Sequence, residues 1–158
     1  MEFTVQLLKN MKDAPFELLL LADPSKRNVQ EYLQRGRCYI AANRLETIGV
    51  FVLLWTRPGT MEIVNIAVRE EYQGQGIGKQ LVLRAIGEAI EQHARTVEIG
   101  TGNSSLSQLG LYQKCGFRIT GVDRDFFIRH YDEAIFENGI PCRDMIRLSY
   151  DIPETEGR

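Results

Sequence analysis

The stretch EEYQGQGIGKQLVLRAIGEAIEQ, residues 70–92, places Gly74, Gly76 and Gly78 at the mouth of a segment that otherwise reads as a helix. From Ile77 onward, Leu81, Val82, Ala85, Ile86, Ala89 and Ile90 recur at helical spacing and form one apolar stripe, which predicts a helix to about residue 93 packed on a sheet. The start of a helix carries unpaired N–H groups and a partial positive charge, and glycines let an anion come close to them. The segments before and after, 61–68 and 97–101, read as strands. A strand–helix–strand unit of this length crosses over right-handedly, so the turn lies at the carboxyl edge of strand 61–68, where α/β sheets take ligands. A phosphate-bearing ligand fits there. Close helix–strand packing is the other use such glycines have. The spacing is G-x-G-x-G rather than the dinucleotide G-x-G-x-x-G, and Lys79 is followed by Gln80 where a nucleotide-triphosphate loop needs Ser or Thr.

Working outward, residues 4–8 read as a strand, and 15–22 and 25–34 as short helices, the second opened by Asp23-Pro24-Ser25. The apolar runs 38–42 and 48–55 flank the polar turn 43–46 and predict an antiparallel hairpin, and Pro58-Gly59 leads into strand 61–68. Downstream come helix 105–115 stopped by Gly116, strand 117–122, a loop over 123–142 and a last strand over 144–150. The acidic tail, 151–158, is expected to be flexible. The order is an antiparallel meander followed by alternating strands and helices in one α/β or α+β domain spanning 1–158.

The 158 residues fit a single domain, and 44% apolar with 25% charged residues is the composition of a folded chain. Nineteen basic against twenty-one acidic residues, without a basic stripe, give no footprint for nucleic acid. Cys38, Cys115 and Cys142 are odd in number and lack C-x-x-C spacing, so neither a disulfide framework nor a metal site is expected, and a reducing cytoplasm suits them. The longest apolar run, 50–55, is far short of a bilayer span, and the first residues carry no export-signal pattern.

The run Gln73-Gly74-Gln75-Gly76-Ile77-Gly78, following the strand Asn65-Ile66-Ala67-Val68, resembles the Q/R-x-x-G-x-G/A motif of the GNAT superfamily, the acyl-coenzyme A-dependent N-acyltransferases. Asn103 and the later Leu111-Tyr112-Gln113-Lys114-Cys115-Gly116-Phe117 are similar to the family's N…LY…GF segment, so the likeness covers about residues 60–122. The interval from Asn103 to Tyr112 is about two residues longer than in many relatives, with 104–107 as the site of the extra turn. The resemblance implies a mixed, mostly antiparallel sheet of about seven strands, helices on both faces, and a central parallel pair, 61–68 and 97–101, that splays to admit the pantetheine arm of acetyl-CoA as a co-substrate. By the same resemblance the 66–68 strand end (Ile66, Ala67, Val68) would bond that arm, through the main chain of Ile66 and Val68. Gln73, Gly74, Gln75, Gly76, Ile77, Gly78 and Lys79 would hold the pyrophosphate on their amides, with Asn103 as a further cofactor contact.

Acetyl transfer to an amine needs a base, because an alkyl ammonium of pKa near ~10.4 is about one part in a thousand free at neutral pH. The resemblance points to Glu62, with Glu98 or a water relay as alternatives, and to Tyr112 as the acid that protonates the departing thiolate. Strict alternation would put Glu62 on one face with Val64, Ile66 and Val68 and partly desolvate it. The resemblance also nominates the Val68 N–H, beside an expected bulge, as oxyanion donor. Glu62 could equally be a solvated strand carboxylate and Tyr112 a packing ring. His93 closes a helix and His130 sits in a polar loop, neither a strong candidate.

In such proteins the acceptor site is built from the early helices and the loop before the last strand, here 123–142. Phe126, Phe127, Tyr131 and Phe136 interleave there with Asp125, Asp132, Glu133 and Glu137, a combination that attracts ammonium groups or else packs the loop or seals a homodimer. The expected activity is acetyl transfer from acetyl-CoA to a primary amine of a small molecule or peptide. A non-catalytic acyl-CoA-binding regulator, or an unrelated phosphate-ligand domain, are the competing readings.

Overall fold

The computed structural model describes residues 2–154. Strand β1 (Thr4–Leu7) precedes helices α1 (Phe16–Ala22) and α2 (Lys26–Arg35). Ser25 caps α2, its hydroxyl accepting from the Asn28 N–H at 3.2 Å, as the Asp-Pro-Ser start signal predicts. Strands β2 (Arg37–Ala42) and β3 (Thr47–Arg57) form the expected hairpin, its turn closed by Asn43 Oδ1 accepting from the N–H groups of Leu45 and Glu46 at 2.9 Å. Then follow β4 (Thr60–Val68), α3 (Ile77–Glu91), β5 (Thr96–Gly102), α4 (Leu106–Lys114), β6 (Arg118–Asp123), α5 (Phe126–His130), β7 (Phe136–Glu137), β8 (Ile140–Pro141) and β9 (Met145–Asp151).

Seven strands make one sheet in the order β1-β2-β3-β4-β5-β9-β6, and β4–β5 is its one parallel pair. A core on one face joins Phe51, Leu53, Met61, Ile63, Val97, Ile99 and Leu148 to the α3 stripe and to Tyr112 and Phe117. A second core, on the other face, joins Val50, Val52, Leu54 and Ala67 to Leu18, Leu19, Val29 and Leu33 of α1 and α2. No helix among the described residues is long and apolar enough to cross a membrane.

Three expectations change. Segment 123–142 is folded: α5 and a β7–β8 hairpin turned by Asn138 and Gly139, both at positive φ (55° and 74°), fill it. Asn-Gly is the preferred pair for a two-residue hairpin turn, so the signal stood in the sequence. The chain end is anchored further than expected, since Asp151 pairs with Thr96 and the buried Ile152 donates its N–H to Arg95 O at 2.8 Å; residues 155–158 lie outside the described residues. Finally, Asn65 lies opposite Val52 and Ile63 opposite Leu53, which leaves Val64 as an extra residue in β4. The bulge is therefore at Val64 rather than beside Val68, and it reverses the alternation beyond it.

Candidate active site

The bulge decides which face each β4 side chain takes. Glu62 lies opposite Leu54, a residue of the α1–α2 core, whereas Ile66 lies opposite Phe51 in the α3 core. Glu62 thus shares its face with Asn65 and Ala67, and Ile66 and Val68 point to the other side.

Pairing between β4 and β5 runs from Thr60–Thr96 to Ile63–Ile99 and stops, although β4 continues to Val68 and β5 to Gly102. The parallel pair therefore splays. Arg69 donates its N–H to Ile48 O at 2.8 Å, and since main-chain groups alternate along an antiparallel strand, those of Ala67 also face β3 while those of Val68 and Ile66 face the gap. The Gln73 side chain donates to Val68 O at 2.9 Å, so the Val68 N–H and both groups of Ile66 are what the gap presents.

At the mouth of the gap, Gly74 and Gly76 have φ of 79° and 83°, and a Cβ at either would meet nothing within 4 Å. These two glycines are there for backbone conformation, and the space beside them is open. Gly78 has ordinary backbone and would place a Cβ 3.5 Å from Leu111 Cδ2, an unstrained contact. The first helical hydrogen bond of α3 runs from Gln80 N–H to Gly76 O, and no backbone acceptor for the amides of residues 74–79 is found among the described residues. The Ile77 side chain is buried in the core, while Gln75 and Lys79 are exposed at the rim. A nest of free N–H groups at a helix start is a binding place for phosphate oxygens.

On the opposite face, Glu62 and Glu98 stand side by side as register partners. Arg57 forks onto both oxygens of Glu98, at 2.6 and 3.3 Å, while Glu62 has no hydrogen bond among the described residues. Burial, opposed by the positive charge of Arg147 and reinforced by the negative charge of Glu98, holds the Glu62 carboxyl above its ordinary pKa.

Tyr112, in α4, is 5% exposed, packs against Phe117 with ring centroids 6.3 Å apart, and makes no side-chain hydrogen bond among the described residues. Burial raises the phenol's pKa, so it keeps its proton throughout the physiological range. Asn103, expected as a cofactor contact, is tied to its own chain by three hydrogen bonds. Its Oδ1 accepts from the N–H groups of Arg143 (2.8 Å) and Asp144 (3.0 Å), and its Nδ2 donates to Pro141 O at 3.1 Å. The side chain clamps the segment before β9. The neighbouring Ser104 and Ser105, where the extra turn is expected, donate to Glu137 Oε1 at 3.3 and 2.8 Å and tie the β7–β8 hairpin to the start of α4.

A chain of hydrogen bonds emerges that the sequence reading passed over. Asn65 donates to Leu19 O (2.9 Å) and to the Tyr32 hydroxyl (2.7 Å), Tyr32 donates to Asp23 (3.2 Å), and Tyr131 donates to Asp23 (2.9 Å). This chain of bonds fastens α5 across to the α1–α2 joint, and the space it borders, above the Glu98 and Arg147 face of β5 and β9, is the candidate acceptor cleft. A polar Asn inside an apolar strand run was its signal. The floor of the cleft is glycine-rich because Met145 Sδ and Cys142 Sγ fill the places that a Cβ at Gly100 or Gly102 would take, each 2.5 Å away. Phe126, Phe127, His130 and Tyr131 stack on one another in the cleft wall, whereas Phe136 is exposed. Among the described residues no group of three or more His, Cys, Asp or Glu side chains is placed to hold a metal ion.

The model of the acetyltransferase (GNAT) family matches residues 6–117. The chain is 62% identical over 148 residues to the uncharacterized N-acetyltransferase YvbK of Bacillus subtilis (strain 168), covering 94% of this chain and 96% of that protein. It superposes with a TM-score of 0.92 on a Bacillus subtilis acetyltransferase solved in complex with CoA, at 60% identity over 96% of this chain and 100% of the other. A GNAT family acetyltransferase from Elizabethkingia anophelis with acetyl-CoA bound gives a TM-score of 0.93 at 47% identity, covering 95% and 98%. With a splayed parallel pair, a glycine turn of free amides and these likenesses along most of its length, the chain belongs to the acetyltransferase (GNAT) family and is an acetyl-CoA-dependent N-acetyltransferase.

Proposed function

We propose that the protein moves the acetyl group of acetyl-CoA directly to a primary amine of a small molecule or peptide, with both substrates bound together. The observation that carries this reading is the half-buried Glu62 carboxylate, without a hydrogen-bond partner among the described residues, beside a Glu98 held by Arg57. Its raised pKa suits it to accept a proton from an incoming ammonium.

In this reading the amides of residues 74–79 bind the pyrophosphate, and Ile66 with the Val68 N–H bonds the pantetheine arm in the gap. Glu62 takes a proton from the ammonium, the amine nitrogen attacks the thioester carbon, a C–N bond forms and the C–S bond breaks. The thiolate takes the Tyr112 proton, and Tyr112 is reprotonated from solvent. The second proton lost by the nitrogen leaves by way of Glu62, so that amine and acetyl-CoA give amide and free CoA.

The open space at Gly74 and Gly76 supports the cofactor part, and the unbonded Tyr112 hydroxyl supports the acid. The test is thiol release from acetyl-CoA against a panel of amino acids, polyamines, aminoglycosides and N-terminal peptides. Saturable release with one acceptor, strongly reduced in Glu62→Gln at neutral pH, is the expected result. Tight acetyl-CoA binding with no release on any amine would instead identify an acyl-CoA-binding regulator.

A further inference from the structure

The cleft floor carries two charges of opposite sign that face the same space without meeting. β5 pairs with β4 on one side and β9 on the other, and Glu98–Glu62 and Gly100–Arg147 are register partners. Residues 98, 100 and 102 alternate away from the buried Val97 and Ile99, so Glu62, Glu98 and Arg147 all rise from the α1–α2 side of the sheet. Two strand spacings and two residues separate the Glu62 and Arg147 backbones, about 12 Å. The two side chains are near enough that the Arg147 charge acts on Glu62, yet they form no ion pair.

Four acidic side chains near them already have partners. Glu98 is held by Arg57 at 2.6 Å, and Asp123 by Arg129 at 2.9 Å. Asp23 accepts from two tyrosine hydroxyls and the Ser25 N–H, and Asp144 accepts from the Asp125 N–H. Arg147 reaches Asp123 only at 3.5 Å through one terminal nitrogen. Its Nε and other terminal nitrogen have no acceptor among the described residues. The guanidinium lies 5.9 Å from the Phe126 ring centroid, which fixes its place in the cleft wall, and the side chain is 46% exposed. A guanidinium with free donors in a fixed position is suited to a carboxylate.

We propose that the acceptor is a small amino carboxylate, its ammonium docked at Glu62 and its carboxylate held by Arg147. The inference rests on the transfer reading above and adds the substrate class to it. A plain polyamine would leave Arg147 facing a second positive charge, and a plain carboxylate would leave Glu62 facing a negative one. A zwitterion satisfies both and bridges the space between them. Arg147 is then a specificity-determining residue.

The test uses matched acceptors: phenylalanine, its carboxamide and 2-phenylethylamine, and the corresponding set for lysine, each with acetyl-CoA and the full chain. The wild type is expected to prefer the carboxylate member by about 10- to 100-fold in kcat/KM, the value of one charge-assisted contact. Arg147→Met is expected to reduce that ratio to about 2 or less, and Arg147→Lys to retain part of it. An unchanged acetyl-CoA affinity in both variants, by calorimetry, certifies that they are folded. Equal turnover of all three members by the wild type, or a preference that survives Arg147→Met, overturns the inference and leaves the transfer reading intact. Acetyl-CoA binding with no thiol release on any member also overturns the inference, and only silence across the wider panel of polyamines, aminoglycosides and peptides overturns the transfer reading with it.

Discussion

Glu62 and Glu98 are register partners across the parallel pair β4–β5, and Arg57 binds one and not the other. Two like charges on neighbouring strands at ~4.8 Å spacing repel, and the fork of Arg57 offsets the charge of one of them. Glu62 is left with a pKa raised by burial. The division of labour between the two carboxylates follows from one arginine at the end of β3.

Glu62→Gln is expected to lower kcat/KM by about 10²- to 10⁴-fold near neutrality. In the wild type the acidic limb of the pH–rate profile should rise through a pKa above the ordinary carboxylate range, because burial raises that of Glu62. The variant should lack this limb and gain rate only as the amine itself deprotonates. Glu98→Gln should keep the limb, and its loss there would move the base to Glu98. Stability carries the opposite sign. A carboxyl whose folded pKa is raised contributes its stability below the unfolded value and loses it as pH rises through the folded one, so Glu62→Gln should melt no lower than wild type at pH 7, with the difference closing below about pH 4.

Gly76 and Gly78 should respond differently although they are two residues apart. Gly76→Ala forces a Cβ onto a φ of 83°, at a cost of about 1–2 kcal/mol, and Gly76→Glu adds bulk and negative charge where phosphate is proposed to sit. Acetyl-CoA binding should be lost in Gly76→Glu, read by calorimetric titration. Gly78→Ala meets only an ordinary contact with Leu111, so its stability should change by less than about 1 kcal/mol. A Gly76→Glu protein with wild-type affinity would remove the phosphate from this turn.

Tyr112→Phe keeps the ring in its packing against Phe117 and removes a hydroxyl that has no partner among the described residues. Stability should change by no more than about 1 kcal/mol. If the phenol protonates the thiolate, kcat should fall by about 10²-fold with acetyl-CoA affinity nearly constant, and an acyl donor with a more acidic thiol should restore much of the loss. Wild-type turnover in this variant would leave Tyr112 as a packing residue.

Asn103→Ala removes the clamp on residues 141–144 and leaves two N–H groups without their acceptor. Thermal or denaturant unfolding should show a loss of about 1–3 kcal/mol. Because the clamped segment runs into β9 and Arg147, KM for the acceptor should rise while the acetyl-CoA dissociation constant stays within about twofold. A selective loss of acetyl-CoA affinity would return Asn103 to the cofactor.

The helix over Ile77–Glu91, the glycine turn before it and the order of strands around it were legible in the amino-acid sequence, because each rests on local physics. A 3.6-residue stripe must bury one face, and a chain that turns through positive φ at 74 and 76 needs glycine there. The family resemblance followed from those same residues. The bulge at Val64 was not legible, since any residue of an apolar strand can be the extra one and only the pairing of β3 with β4 selects it. That single extra residue sends Glu62 to the α1–α2 side of the sheet and Ile66 and Val68 to the other. The Arg57–Glu98 fork and the clamp of Asn103 on residues 141–144 join positions about forty apart in the chain. Charge and hydrogen-bond partners at that separation are chosen by register and topology, so it is the folded sheet that gives Arg57 to Glu98 and brings the Arg147 charge within reach of Glu62.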